Sequence, residues 1–310
     1  MQKKSVKDYA ILFAKGIAMG SADIVPGVSG GTIAFITGIY EELINSIKSI
    51  NATSLKMLLS FKIKAFLEAI NFWFLFTLLA GIGTALVALS GIISHALEAY
   101  PVLVWSFFFG LILASTWFVA RKITALNALV ILFFLAGGGI AYYITVAVPV
   151  ETPDAYWFIF ISGVVAICAM ILPGISGSFI LLLMGKYHFI LDALRKVDIV
   201  TLLIFIAGCG IGITSFARVI SWLFSRYHNA TLALLTGFML GSLNKVWPWK
   251  QVISTRINSK GEEVPFLDKS VWPSSFEGDP QILWAVLLCI AGFMLIWLFE
   301  LLSKRKPEAL

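Results

Sequence analysis

Long runs without a charged side chain dominate the chain. Residues 72–93, 102–119, 127–148, 199–217 and 282–299 contain no Asp, Glu, Lys or Arg. Each is close to the roughly 20 apolar residues a helix needs to cross a bilayer. Near residues 9–47 and again near 156–194 the apolar pattern is instead cut by a polar, glycine-rich turn. The first turn reads "DIVPGVSGGT" from Asp23 and the second "ILPGISGS" from Ile171. Pro26 and Pro173 lack a backbone donor and disfavour helix before them, while Gly27 and Gly174 let the backbone reverse. Each segment therefore predicts a re-entrant hairpin of two short helices, about 9–25 and 32–47 in the first.

The whole pattern occurs twice. Residues 16–46 align with 163–193 at an offset of 147, with ten of 31 positions identical, among them Gly16, Pro26, Gly27, Ser29, Gly30, Gly38 and Tyr40. The next region aligns at an offset of 127, so that Gly81, Tyr100, Gly110 and Ser115 recur as Gly208, Tyr227, Gly237 and Ser242. A longer loop around 49–69 in the first half accounts for the change of 20. The expected organisation is a repeat over 1–150 and a second over 151–310, each a re-entrant hairpin followed by three spans. Together they form one integral membrane domain. The fold class is an all-α polytopic membrane protein.

Composition and charge turn this pattern into a topology. The chain is 59% hydrophobic and 13% charged, against about 45–50% and about 25% in soluble domains. The start "MQKKSVKDYA" lacks the apolar core of a cleavable signal, so none is expected. Basic residues cluster at Lys3, Lys4 and Lys7, at Lys48, Lys56, Lys62 and Lys64, at Arg121 and Lys122, and at Lys304, Arg305 and Lys306, whereas the connection with Glu151 and Asp154 is acidic. The positive-inside rule places the basic sets and both termini in the cytoplasm. The two hairpins then enter from opposite faces, which makes the repeats inverted. The net charge of +6 is explained by this orientation and points to no nucleic acid. Cys168, Cys209 and Cys289 stand singly in apolar runs, with neither disulfide nor metal spacing.

Inverted repeats with broken helices meeting at the midplane are the layout of secondary transporters. The second helix of each hairpin would start inside the membrane with free N–H groups and a positive dipole end, a setting for an anion. Ser29, Gly30, Gly31 and Thr32 in one turn, and Ser176, Gly177 and Ser178 in the other, are the candidate ligands. Arg218 is the candidate cationic partner. Asp23, whose counterpart is Met170, is a carboxylate at membrane depth and the candidate coupling residue. No metal or cofactor is expected; a proton or a cation is the expected coupling ion.

The stretches "GIAMGSADIVPGVSGGTIAFITGIYEELI" and "ILPGISGSFILLLMGKY" resemble the bacterial undecaprenyl phosphate translocase family of the PopT type, over nearly the whole chain. The resemblance implies a flippase rather than an enzyme. Such a protein returns undecaprenyl phosphate, the lipid carrier of cell-wall peptidoglycan precursors, from the outer to the inner leaflet of the cytoplasmic membrane. "PGVSGGT" is also similar to the "PGxSRS" loop of the undecaprenyl-pyrophosphate phosphatases, but here glycine follows the motif serine in both halves. A transporter of a small soluble anion is the other alternative. The sequence leaves the oligomeric state open.

Overall fold

The computed structural model describes residues 5–25, 27–150, 152–257 and 263–304; Pro26 and Glu151 lie outside them. The first half runs α1 (Val6–Ile24), α2 (Gly30–Ile36), α3 (Tyr40–Lys48), α4 (Ala52–Leu59), α5 (Ile63–Ala69), α6 (Phe72–Ala99), α7 (Pro101–Ala120) and α8 (Ala128–Val146). The second runs α9 (Tyr156–Ile171), α10 (Gly177–Leu183), α11 (Tyr187–Lys196), α12 (Ile199–Arg226) and α13 (His228–Ser242). A ribbon of β1 (Lys250–Ile257) and β2 (Glu263–Ser270) precedes α14 (Ile282–Lys304). Apart from α4, α5 and the ribbon, the second series repeats the first, and it does so in backbone detail. Gly27 and Gly174 take φ of +86° and +90°, and Gly38 and Gly185 take +73° and +65°. Tyr100 and Tyr227, which divide α6 from α7 and α12 from α13, have φ/ψ of −136/52° and −135/53°.

Local chemistry sets the helix ends. Ser5 and Asp8 form a reciprocal capping box at the start of α1. Asn127 accepts from the Val130 N–H at α8, and Asp198 accepts from the Thr201 N–H at α12. Pro101 opens α7 at a position where a missing N–H costs nothing.

Among the described residues four helices, α6, α7, α8 and α12, are long and apolar enough to cross a membrane. The pair α10–α11 would make a fifth if counted as one span, but it is bent by 103°. The 15-residue α13 and the apolar part of α14, Ile282–Leu298, are shorter. The chain is thus a polytopic membrane protein. Packing is reciprocal between the halves: α1 lies along α6 as α9 lies along α12, and α7 pairs with α14 as α8 pairs with α13. Glycines set the close approaches. A Cβ on Gly16 would meet the Leu78 carbonyl, and one on Gly110 the Cys289 carbonyl. Gly208 and Gly292 face carbonyls of Phe160 and Phe107 in the same way. The buried share is 56% for α7 but 17% for α8 and α12, so α7 is central while the others turn apolar faces outward.

The hairpins depart from the sequence expectation in one respect. The return arm is not a single helix over 32–47. It breaks at Gly38 into α2 and the amphipathic α3, and at Gly185 into α10 and α11. A seven-residue helix spans about 10 Å, so α2 and α10 are short pieces before the chain changes direction. The 49–69 insertion holds α4 and α5, with Leu59, Phe61 and Ile63 exposed beside Lys56, Lys62 and Lys64. The ribbon was not foreseen. Its strands pair antiparallel, Lys250 opposite Ser270, with register shifts between Val252, Ser254 and Thr255.

Candidate anion site between the two turns

The two polar turns meet in buried surroundings. Val25, Val28, Ser29 and Thr32 are completely buried, and Ser176 nearly so. In the first turn α1 ends at Ile24, Gly27 reverses the chain, and Ser29 caps α2 by accepting from the Gly31 N–H at 3.1 Å. In the second, α9 ends at Ile171, Gly174 reverses the chain, and Ser176 stands at the cap of α10. Ser176 makes no such capping bond; its hydroxyl pairs with that of Ser178 at 2.8 Å.

The turns touch directly. The Gly174 N–H donates to the Thr32 hydroxyl at 2.9 Å, and the Ser29 hydroxyl faces the carbonyls of Leu172 and Met170 at 3.2 and 3.3 Å. Gly31 has no room for a side chain: a Cβ there would lie 2.7 Å from the Ile171 carbonyl oxygen. The residues chosen from the sequence in separate halves are therefore neighbours in space, 141 to 143 residues apart along the chain.

Asp23 stands in the last turn of α1 and reaches across the break. One carboxylate oxygen accepts from the Gly30 N–H at 2.7 Å; the other is buried without a hydrogen-bond partner. The start of α2 is thus already occupied by anionic and hydroxyl acceptors belonging to the protein itself. The serine hydroxyls of the second turn pair with each other.

Arg218 is exposed on α12 and does not line the space between the turns. The cation found there is Lys245. A small cavity of about 10 Å³ is lined by Gly27, Gly174, Ser176, Phe179, Thr145 and Lys245, among others, room for about one water. The aliphatic stem of Lys245 fills the space a Gly27 side chain would need, 2.5 Å from a built Cβ. Its ammonium sits 4.6 Å from the Phe179 ring centroid, a cation–π contact. Sequence reading passed over Lys245 although a signal was available. On the expected topology "LNKVWPWK" lies on the outer side, where lysines run against the positive-inside rule.

Lys186 is buried and paired with Asp154 and the Thr152 carbonyl, which ties the start of α11 to the connection between the halves. A larger cavity, about 240 Å³, lies between α3, α12 and α13 and is lined by Glu41, Asn45, Ser221 and His228.

Comparison with known proteins agrees with the motif reading. A family model described as undecaprenyl phosphate translocase-like matches residues 19–264. A Vibrio cholerae protein named polyprenyl-phosphate transporter is 48% identical over 302 residues, covering 96% of this chain and 98% of that protein. A Staphylococcus aureus protein of the same name is 33% identical over 256 residues, covering 76% of this chain and 84% of its own length. No solved structure matches. The chain, with both of its polar turns inside the matched region, belongs to the undecaprenyl phosphate translocase-like family.

Proposed function

We propose that the protein carries a polyprenyl phosphate, undecaprenyl phosphate in particular, from the outer to the inner leaflet of the bacterial cytoplasmic membrane. The observation that carries the reading is the direct meeting of the two turns in buried surroundings, with Ser29, Thr32, Ser176 and the Gly174 N–H converging there and the exposed Ser178 hydroxyl paired with that of Ser176. A phosphate head group needs several such donors at once. A prenyl tail needs none and can remain in lipid. The relatives named polyprenyl-phosphate transporter support the same substrate class. The reciprocal packing and repeated turn conformations support two inverted repeats over 1–150 and 151–310. In that topology α13 and α14 join the four long helices as spans, and both termini are cytoplasmic.

Inward movement of an anion opposes an inside-negative potential by about 2.3 kcal/mol per charge per 100 mV. Asp23 has one carboxylate oxygen free of hydrogen bonds beside the first turn, so it is the position where a co-transported proton would be carried. The test is reconstitution into liposomes with a fluorescent polyprenyl phosphate and a membrane-impermeant quencher. Transport above that of empty liposomes is expected, and it should fall at least tenfold in the Ser29→Ala/Ser176→Ala double variant. Inorganic phosphate released from the pyrophosphorylated lipid, without movement of the monophosphate, would replace the transport reading with hydrolysis.

A further inference from the structure

Two lysines next to the turns share one carboxylate. The Lys245 ammonium lies 3.5 Å from both oxygens of Asp268, and the Lys250 ammonium lies 3.5 Å from one of them. Both lysine side chains are largely buried, with exposures of 16% and 11%. Among the described residues, two largely buried ammoniums face one partly exposed carboxylate, an imbalance that a second anion would relieve. The distances are also longer than the about 2.7–2.9 Å of a well-made ammonium–carboxylate hydrogen bond. Asp268 thus balances the pair only in part. Lys250 further donates to the Lys245 carbonyl and lies 5.0 Å from the Trp105 ring centroid.

The element that supplies Asp268 is weakly built. It belongs to a two-stranded ribbon with two register shifts and no third strand among the described residues. Its base is tied down by the Val271 N–H to the Trp249 carbonyl and the Ser270 hydroxyl to the Asn244 carbonyl, but two strands alone are marginal in water. Around the lysines stand Trp105, Trp247, Trp249 and Trp272; Trp247 and Trp249 donate to the Val271 and Pro280 carbonyls, and Trp272 is exposed. Tryptophans in such number mark the head-group level of a membrane protein. On the inner side, Lys245 lies against Gly27 and lines the cavity with Gly174 and Ser176. The lysine pair therefore lies between the head-group level and the two turns.

We propose that Lys245 and Lys250 form a loading site for a phosphate monoester, and that Asp268 is a resident counter-ion which the incoming phosphate displaces as the ribbon withdraws. This rests on the transport reading above and assigns it an entry step. A phosphate monoester brings about −1.5 to −2 charges and three acceptor oxygens near neutral pH, so one group can satisfy both ammoniums where a single carboxylate does not. Lys245, Phe179 and Ser176 line one cavity, so the Ser176 hydroxyl is the next donor inward from this position. The tryptophan surroundings favour a lipid head group over free phosphate.

The site carries its own reporter in the tryptophans. Fluorescence titration of the full chain in detergent, with farnesyl phosphate, farnesol and inorganic phosphate in separate arms, tests the assignment. Farnesyl phosphate is expected to bind the wild type. Asp268→Asn should tighten that binding about fivefold to tenfold, Lys245→Gln and Lys250→Gln should each weaken it about tenfold, and Lys250→Arg should retain it. A second measurement uses the unaltered protein. Farnesyl phosphate should speed amide hydrogen exchange in Lys250–Ile257 and Glu263–Ser270, and farnesol should not. Unchanged or weaker binding in Asp268→Asn, or ribbon exchange that does not rise, overturns the displacement proposal while liposome transport by the wild type still upholds the function. Binding of inorganic phosphate as tight as that of farnesyl phosphate, without transport of the lipid, overturns both.

Discussion

Thr32→Val removes one atom pair and little else. Valine has nearly the shape of threonine, so packing against the second turn is kept while the hydroxyl is lost. The Gly174 N–H, now 2.9 Å from that hydroxyl, is left in a buried site without its acceptor. An unsatisfied buried donor costs about 1–3 kcal/mol. The adjoining cavity of about 10 Å³ is lined by Gly174 itself, and a single water there would hold the loss toward the lower end of that range. The measurement is thermal unfolding of purified protein in detergent. A loss of 1 kcal/mol lowers the midpoint by about 2–4 °C in a domain of 150–250 residues, so a fall of about 2–8 °C is expected. Thr32→Ser keeps the oxygen and loses only a methyl group, so it should stay nearer the wild type. Equal midpoints for the valine and serine variants would refute the claim that this hydrogen bond joins the two turns.

Three further outcomes follow from the same geometry. Gly31→Ala drives a Cβ to 2.7 Å from the Ile171 carbonyl oxygen, an overpacking cost of about 1–3 kcal/mol; Gly139→Ala, with open space around it, should be harmless, and equal unfolding midpoints for the two would contradict the contact between turns. Asp23→Asn keeps an acceptor for the Gly30 N–H but cannot take up a proton, so flipping in vesicles should continue while losing its response to an imposed pH gradient; a response equal to that of wild type would make Asp23 a cap alone. Burial and the neighbouring Lys245 push the Lys250 ammonium down from 10.5 to about 8, against the opposing pull of Asp268. Farnesyl phosphate affinity should therefore fall as pH rises through 8, and Lys250→Arg should flatten the fall. Because the folded state holds fewer protons here than the unfolded chain, the same shift makes stability rise with pH between about 8 and 10.5.

The parts of the fold legible in the sequence are those with a strong, repeated signal. The long uncharged runs predicted α6, α7, α8, α12 and α14, and the two glycine-proline turns predicted breaks where Gly27 and Gly174 take positive φ. The duplicated motif pointed to Ser29, Thr32 and Ser176 as neighbours, and these residues lie close together across the two turns. The return arms were misread because Gly38 and Gly185 lie in sequence that is apolar on one side and amphipathic on the other. Periodicity alone joins such segments, and only the positive φ separates them. The ribbon escaped because "KQVISTRI" and "EVPFLDKS" are short, polar runs whose alternation is broken by register shifts. With the ribbon went Asp268, and with Asp268 the meaning of Lys245 and Lys250. Arg218, the candidate cationic partner, is exposed on α12, where a long side chain can carry its charge to the interface.

The contact between the turns bears on how such a carrier cycles. With about one water's volume between them, the turns leave no space for a phosphate, so the described form is closed. Its closure depends on few bonds. The Gly174–Thr32 and Ser29–Leu172 hydrogen bonds contribute about 0.5–1.5 kcal/mol each. Separating the turns would then cost about 1–3 kcal/mol from this source, which taken alone corresponds to open forms at about 0.6–16% of molecules. On the proposed reading the same groups serve both states. When the turns part, the Gly174 N–H and the Ser29 hydroxyl lose their protein acceptors and become donors without partners. A phosphate oxygen arriving from Lys245 replaces those acceptors. Opening is then unfavourable without substrate and compensated with it, which keeps an unoccupied carrier from standing open to small ions. Asp23 already accepts from the Gly30 N–H, so at the first turn the Ser29 hydroxyl, rather than that N–H, is the donor the phosphate gains. The head group is thereby held between the two turns, with the Ser176 hydroxyl, which pairs with that of Ser178, beside it in the second.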